Sequence, residues 1–153
     1  MPRRTMSAAA AILVGVVATL TFASPAAAAG TCYTTTTLPD YTIPMFTVTV
    51  PSAGSTAAST TCYMALGANS NAVKRLQTTL NRCYGQALVV DGDFGTKTKA
   101  ALKVAQGMNW LLTVDGEYGP KTRDGITWDN GINATTGRWD CAWVDGPGGL
   151  QHP

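Results

Sequence analysis

The chain says one nine-residue phrase twice: Val90-Asp91-Gly92-Asp93-Phe94-Gly95-Thr96-Lys97-Thr98 returns 24 positions later as Val114-Asp115-Gly116-Glu117-Tyr118-Gly119-Pro120-Lys121-Thr122. Six of the nine positions are identical, and Asp93/Glu117 and Phe94/Tyr118 exchange like for like. Only Thr96/Pro120 differs in kind. Self-similarity at so short a period points to one supersecondary unit used twice. Each copy joins an apolar lead-in to a helix start through a glycine-rich turn. Asp91, Gly92, Phe94 and Gly95, with Asp115, Gly116 and Gly119, are therefore expected to be structural turn residues. The Asp accepts backbone N–H bonds, the glycines permit left-handed geometry, and the aromatic packs inward.

Helical periodicity surrounds the phrase. Val73, Leu76 and Leu80 recur at helical spacing with Cys83 continuing the face, Asn69-Ser70-Asn71 provides an N-cap and Gly85 a stop, which predicts a helix over 71–84. Leu88-Val89-Val90 reads as a short extended piece. Thr96 is placed to cap a second helix over 97–108, with Ala101, Val104, Ala105 and Met108 as its inward face. Pro120 at a first helical position starts a third helix over 120–128, which Gly125 interrupts at a cost of about 1 kcal/mol relative to Ala. Beyond it, turn signals at Asp129-Asn130-Gly131 and Thr136-Gly137, with Trp139 and Trp143 around Cys141, predict an irregular flap or hairpin folded over the helices.

The flanks bound the compartment. Arg3 and Arg4, an apolar stretch from Ala8 to Phe22 and a small-residue site ending in Ala28-Ala29 read as a secretory signal peptide over 1–29; the apolar run is short for a membrane span. Its removal leaves nine basic against nine acidic residues. The largest basic grouping is then the pair Lys74-Arg75, which argues against a salt-sensitive grip on nucleic acid. Residues 30–63 are rich in Thr, Ser and Ala. The alternating run Phe46-Thr47-Val48-Thr49-Val50 is compatible with a lone strand or hairpin arm, but the composition favours a semi-ordered extension stapled by its cysteines. Cys32, Cys62, Cys83 and Cys141 form an even set in a small exported chain, which argues for two disulfides. Three pairings are open. Cys32 with Cys62 and Cys83 with Cys141 is the expected one, because it closes the extension on itself and ties the tail to the first helix.

Catalytic chemistry finds few groups to use. The chain has one histidine, His152, next to last, and one glutamate, Glu117. No cysteine pair has metal-ligand spacing, so neither a metal nor a cofactor is expected. A Ser or Cys nucleophile needs a positioned base, and glycoside cleavage needs two carboxylates, one with a raised pKa. Glu117 stands opposite Asp93 in the repeat, where a turn role explains both. Asp91-Gly92-Asp93 suggests calcium, but an EF-hand loop would need ligands where Gly95 and Leu102 stand. The reading is a non-enzyme. Among Trp110, Trp128, Trp139 and Trp143 one exposed ring would serve to stack on a sugar, while a small domain also needs such side chains for its core.

These residues resemble the peptidoglycan-binding domain family PG_binding_1. The resemblance runs over about 64–128, through Met64, Gly67, Val73, Leu76-Gln77, Leu80, the two turns, Ala101-Leu102, Gln106 and Ile126. It departs at Ser70, where the family often has glycine, at Ala105, which replaces a common aromatic, and by one extra residue between Gln106 and Asp115. It implies a compact three-helix domain over 64–128 that docks on peptidoglycan or muropeptide. Taken with the flanks, leader and inventory read above, the expectation is a mainly α fold with disulfide-tied irregular extensions over 30–63 and 129–153, in a secreted or cell-wall-associated, non-catalytic monomer without cofactor. The expected groove lies near the second repeat, with Tyr118, Lys121, Thr122 and Trp128 as its walls and Trp110 refilling the place beside Ala105. A targeting subunit or inhibitor of a cell-wall hydrolase is the alternative, ahead of a hydrolase itself.

Overall fold

The computed structural model describes residues 30–39, 47–54, 59–132, 136–137 and 139–144; the signal segment 1–29, Phe46 and His152 lie outside them. In chain order the elements are β1 (Gly30–Thr31), β2 (Thr34–Pro39), β3 (Thr47–Ser52), β4 (Cys62–Tyr63), α1 (Asn71–Tyr84), α2 (Thr96–Gly107), α3 (Pro120–Gly125), β5 (Thr127–Ile132) and β6 (Trp139–Trp143). The strands form three two-stranded sheets: β1 with β4 in parallel, β2 with β3 and β5 with β6 antiparallel. Among the described residues no helix is long and apolar enough to cross a membrane.

This overturns the mainly α expectation. Three helices share the described residues with six strands; the N-terminal flank expected as an irregular extension, and the tail expected as an irregular flap or hairpin, both supply paired strands that belong to the core. Val48 and Val50 alternate inward from β3, and they join Cys32, Cys62, the buried face of α1 and Trp128 of β5 in one apolar cluster. The physical reason is the shortness of α3, six residues, and the limited apolar face of α2. Neither can cover α1 on its own, so the Thr-Val alternation of 47–50 buries its valines there, as a strand with period two can. The Thr-rich composition concealed this because threonine suits a strand's outer face as well as it suits a loop.

α1 begins at Ser70, whose extended backbone lets its hydroxyl accept the Val73 N–H at 3.3 Å. It ends at Gly85, φ 61°, where the Gly85 and Gln86 N–H groups return to the Leu80 carbonyl. Ala72, Val73, Leu76, Gln77, Thr79 and Leu80 are buried. α2 is capped by Gly95, without a side-chain bond, rather than by Thr96. Its inward face is Thr98, Ala101, Leu102, Ala105 and Gln106, one position round from the predicted stripe, so Val104 and Met108 are 44% and 63% exposed. α3 stops at Gly125 and does not reach Trp128. A Cβ on Gly125 would lie 2.6 Å from Leu112 Cδ2, so the glycine admits a close approach of the 112 loop, and Ile126 then leaves in extended conformation.

The disulfides are Cys32–Cys62 and Cys83–Cys141, the latter tying α1 to β6 across 58 positions. A charged cluster on α1 holds both hairpins. Arg75 Nε donates to the Thr49 carbonyl of β3 at 2.7 Å, and its guanidinium reaches Asp129 of β5 at 3.0 Å and the Asp129 carbonyl. Arg82 adds a second bond to the same carboxylate at 2.7 Å.

The two turns are held by congruent brackets. Gln77 of α1 is buried, and its Nε2 reaches Asp91 Oδ1 at 2.8 Å, the Asp93 carbonyl at 3.0 Å and Thr98 Oγ1 at 3.2 Å, while its Oε1 accepts the Gly92 N–H at 2.9 Å. Gln106 of α2 makes the same set to Asp115 (2.9 Å), the Glu117 carbonyl (3.0 Å), Thr122 (3.3 Å) and the Gly116 N–H (2.8 Å). In each turn the Asp also accepts the N–H two residues on, at 2.9 and 2.8 Å. Gly92 and Gly116 have φ of 90° and 70°, and a Cβ on either would meet the preceding helix at Lys74 and Ser70 or at Lys99 and Lys103. Each turn thus packs on one helix and begins the next. Segment 64–68 is bonded to both, through Gly67 N–H to the Phe94 carbonyl and reciprocal bonds between Met64 and Tyr118.

Two outcomes are expected from this arrangement. Gln106→Met keeps the length of the side chain but strands the buried Gly116 N–H and frees the turn; it should cost about 2–4 kcal/mol in urea unfolding, given about 1–3 kcal/mol for each unsatisfied buried group. A loss below about 0.5 kcal/mol, the usual size of a neutral surface change, would show that the glutamine does not hold the turn. For Asp129, burial by itself raises the carboxyl, but bonds from Arg82, the Gly131 N–H and Arg75 outweigh it and hold the group below the usual aspartate value of 3.8. A carboxyl depressed on folding contributes stability that is present above the unfolded value and lost as pH falls through the folded one. Thermal unfolding of Asp129→Asn should therefore give a lower Tm at pH 7 and a weaker fall in Tm on acidification below 3.8 than wild type. Parallel pH profiles would exclude the cluster as a source of acid sensitivity.

Candidate functional site

A cleft of about 370 Å³ opens over the second copy of the phrase. Its walls come from three directions. Leu112 and Thr113 arrive from the loop after α2, Asp115 and Glu117 to Thr122 from the turn and the first residues of α3, and Tyr63 from β4. The chain folds this way locally because Cys62 is pinned to Cys32 and Met64 is bridged to Tyr118, which leaves Tyr63 between two buried neighbours with its ring turned outward. That ring rests on Gly119, where a Cβ would fall 2.7 Å from Tyr63 Cε1. Tyr63 is 51% exposed and is the aromatic surface the cleft presents.

The polar groups divide into committed and available ones. Thr122 Oγ1 donates to the Glu117 carbonyl at 3.2 Å and accepts from Gln106, and Asp115 Oδ1 is taken up by Gln106 and the Glu117 N–H. Lys121 and the Glu117 side chain are exposed at the rim. Among the described residues no three His, Cys, Asp or Glu side chains gather as a metal set. What the arrangement offers is noncovalent: an open aromatic face, an apolar floor at Leu112, one cation and two carboxylates.

The residues read from the sequence as groove walls are only partly together. Tyr118, Lys121 and Thr122 line the cleft, but Tyr118 is wholly buried, its ring edge-on to Trp128 with centroids 6.0 Å apart. Burial pushes the Tyr118 phenol far above its ordinary range, and among the described residues its hydroxyl has no hydrogen-bond partner. Trp128 lies beneath, fully buried in the core on β5, and its indole N–H donates to the Arg123 carbonyl at 2.8 Å. Trp110 is 78% exposed after α2, outside the cleft lining. Arg123 is consumed by Asp124, at 2.6 and 2.9 Å, and by Thr60.

Sequence reasoning missed Tyr63. The available signal was the alternation Cys62-Tyr63-Met64: if the flanking cysteine and methionine are buried, the tyrosine between them must face out. The glutamines were noticed only as matches to a family pattern. Polar residues on the inward face of a helix, as Gln77 and Gln106 are, require a partner, and that is the signal for their bracket role.

No curated protein and no solved structure matches the chain. Residues 69–125, which span α1, both turns and α3, match the family model described as a putative peptidoglycan binding domain, PG_binding_1.

Proposed function

We propose that this protein is a secreted, non-catalytic binder of bacterial cell-wall peptidoglycan and that it grips its ligand in the cleft over the second repeat. The observation that carries the reading is the exposed Tyr63 ring seated on Gly119 beside Lys121 and Glu117, within a chain whose residues 69–125 match a peptidoglycan-binding family. A half-exposed aromatic face suits the apolar side of a pyranose, and Lys121 suits the carboxylates of peptide stems. A glycosidase needs two carboxylates placed about its scissile bond; in the cleft, Asp115 is taken up by Gln106 and the Glu117 N–H, which supports a binding role over glycoside cleavage. Export is supported by the leader-like residues 1–29 and by the two disulfides. A second reading, a targeting subunit for a cell-wall hydrolase, draws on the exposed Val104, Met108 and Trp110 at the end of α2; co-purification with such an enzyme without binding to walls would favour it.

The direct test is sedimentation with purified sacculi. Wild type should pellet with the wall, and Tyr63→Ala should weaken the interaction roughly three- to tenfold, on the scale of one aromatic contact worth about 0.5–1.5 kcal/mol. Lys121→Ala should weaken it to a smaller, salt-dependent degree. Lys121 is exposed and Tyr63 half-exposed, and circular dichroism and Tm check that each variant is folded. Folded wild type that stays in the supernatant rules the reading out.

A further inference from the structure

The first copy of the phrase carries a hollow of its own, of about 370 Å³, equal to that over the second. Asp91, Asp93, Lys97 and Thr98 line it where Asp115, Glu117, Lys121 and Thr122 line the other, and Leu88 stands in for Leu112. The equivalence is physical as well as formal, because the Gln77 and Gln106 brackets hold the two turns with the same bonds. The first hollow thus repeats the cation, the carboxylates and the leucine of the second, with Asp93 also accepting a bond from the Asn69 side-chain amide.

The two are also joined. A depression of about 310 Å³ shares Tyr63, Glu117 and Tyr118 with the second-repeat cleft. Another, of about 340 Å³, shares Asp93, Gly95 and Thr96 with the first-repeat hollow. These two intermediate depressions share Leu66 and Ala68 with each other. Four hollows therefore follow one another in series across segment 63–68, the strip bonded on one flank to Tyr118 and on the other to Phe94. Tyr63 and Leu66 stand on that strip 51% and 57% exposed.

We infer that the ligand is held as an extended strand lying along this whole groove, with one repeat at each end, and not as a single unit in one cleft. This rests on the peptidoglycan reading and deepens it. Two matched charged stations separated by an apolar strip fit a linear glycan whose sugar faces lie over Tyr63 and Leu66 while its peptide stems present carboxylates to Lys121 at one end and Lys97 at the other. A strand that engages both stations makes the second contact intramolecularly, so its affinity rises beyond that of a short fragment without any new kind of contact.

The experiment compares soluble wall fragments of two lengths, a single disaccharide-peptide and chains of four or more such units, titrated calorimetrically into the full protein and into Lys97→Ala. Lys97 is exposed on the first turn of α2, and circular dichroism and Tm check that the variant is folded. For wild type the long chain should bind at least about tenfold tighter than the single unit, more than the few-fold statistical gain from its repeated registers. Lys97→Ala should remove most of that gain, while the affinity of the tighter short-fragment site stays within twofold of wild type. Equal affinity for both lengths, or a long-chain affinity that Lys97→Ala leaves unchanged, overturns the extended-strand proposal while leaving the peptidoglycan reading in place. Absence of binding by either fragment overturns both.

Discussion

The buried amide of a glutamine is the constraint on which both repeats depend. A turn that carries a helix start must satisfy its own backbone groups away from water, and an unsatisfied one costs about 1–3 kcal/mol. Gln77 and Gln106 meet this requirement by offering both a donor and an acceptor from a helix face, so that one side chain binds an Asp carboxylate, a carbonyl, a threonine hydroxyl and a glycine N–H. Because the bracket comes from the preceding helix, each turn is fixed relative to the helix before it. The next helix then starts in a determined direction. The cleft walls inherit this geometry: Lys97 and Lys121 have equivalent places because Thr98 and Thr122, one residue on, are tied to equivalent glutamines.

α1 is the element that the rest of the molecule shares. Its apolar face receives Val48 and Val50 of the β2–β3 hairpin and Trp128 of the β5–β6 hairpin, its polar flank supplies Arg75 and Arg82 to Asp129, and its end is tied to β6 through Cys83. Paired charges with little exposure contribute less to net stability than to specificity, since desolvation offsets much of their attraction. Here Arg75 bonds to both hairpins at once, at Thr49 and at Asp129, and so sets where each lies on the helix. The disulfides limit the freedom of the unfolded flanks, and the Cys32–Cys62 bond also fixes the neighbour of Tyr63. The covalent frame and the cleft-facing aromatic are therefore linked through a single residue step.

How far the sequence was legible depends on the range of the interaction that decides each feature. Ser70 and Gly85 bound α1 through contacts within a few residues, and spacing revealed them. Pro120 started α3 for the same reason. The inward face of α2 was misjudged by one position because Val104 and Met108 compete with Leu102 and Gln106 for the core, and burial of Gln106 pays only when Asp115 and Gly116 are there to meet it. Gly125 read as an interruption when it is an end, since the cause is Leu112 packed against it. Trp128 read as a groove wall while α3 was expected to continue; ending the helix at Gly125 turns it into the core. The extension over 30–63 was misread most, since its valines are buried by α1 and β5, which are distant in sequence.

From the sequence alone came the doubled turn, the starts of α1 and α3, the even set of cysteines and the scarcity of catalytic groups, all of which are written in residue type and near-neighbour spacing. The tertiary structure decided that the flanks are sheet, that Tyr63 and not Trp128 faces the cleft, and that the two repeats open onto one groove. Those outcomes rest on pairs such as Thr49 with Arg75, Asp129 with Arg82, and Arg123 with Thr60, 63 positions apart. A periodicity of two or of 3.6 residues says which side of an element is apolar, but which partner covers that side is settled only when the chain closes on itself.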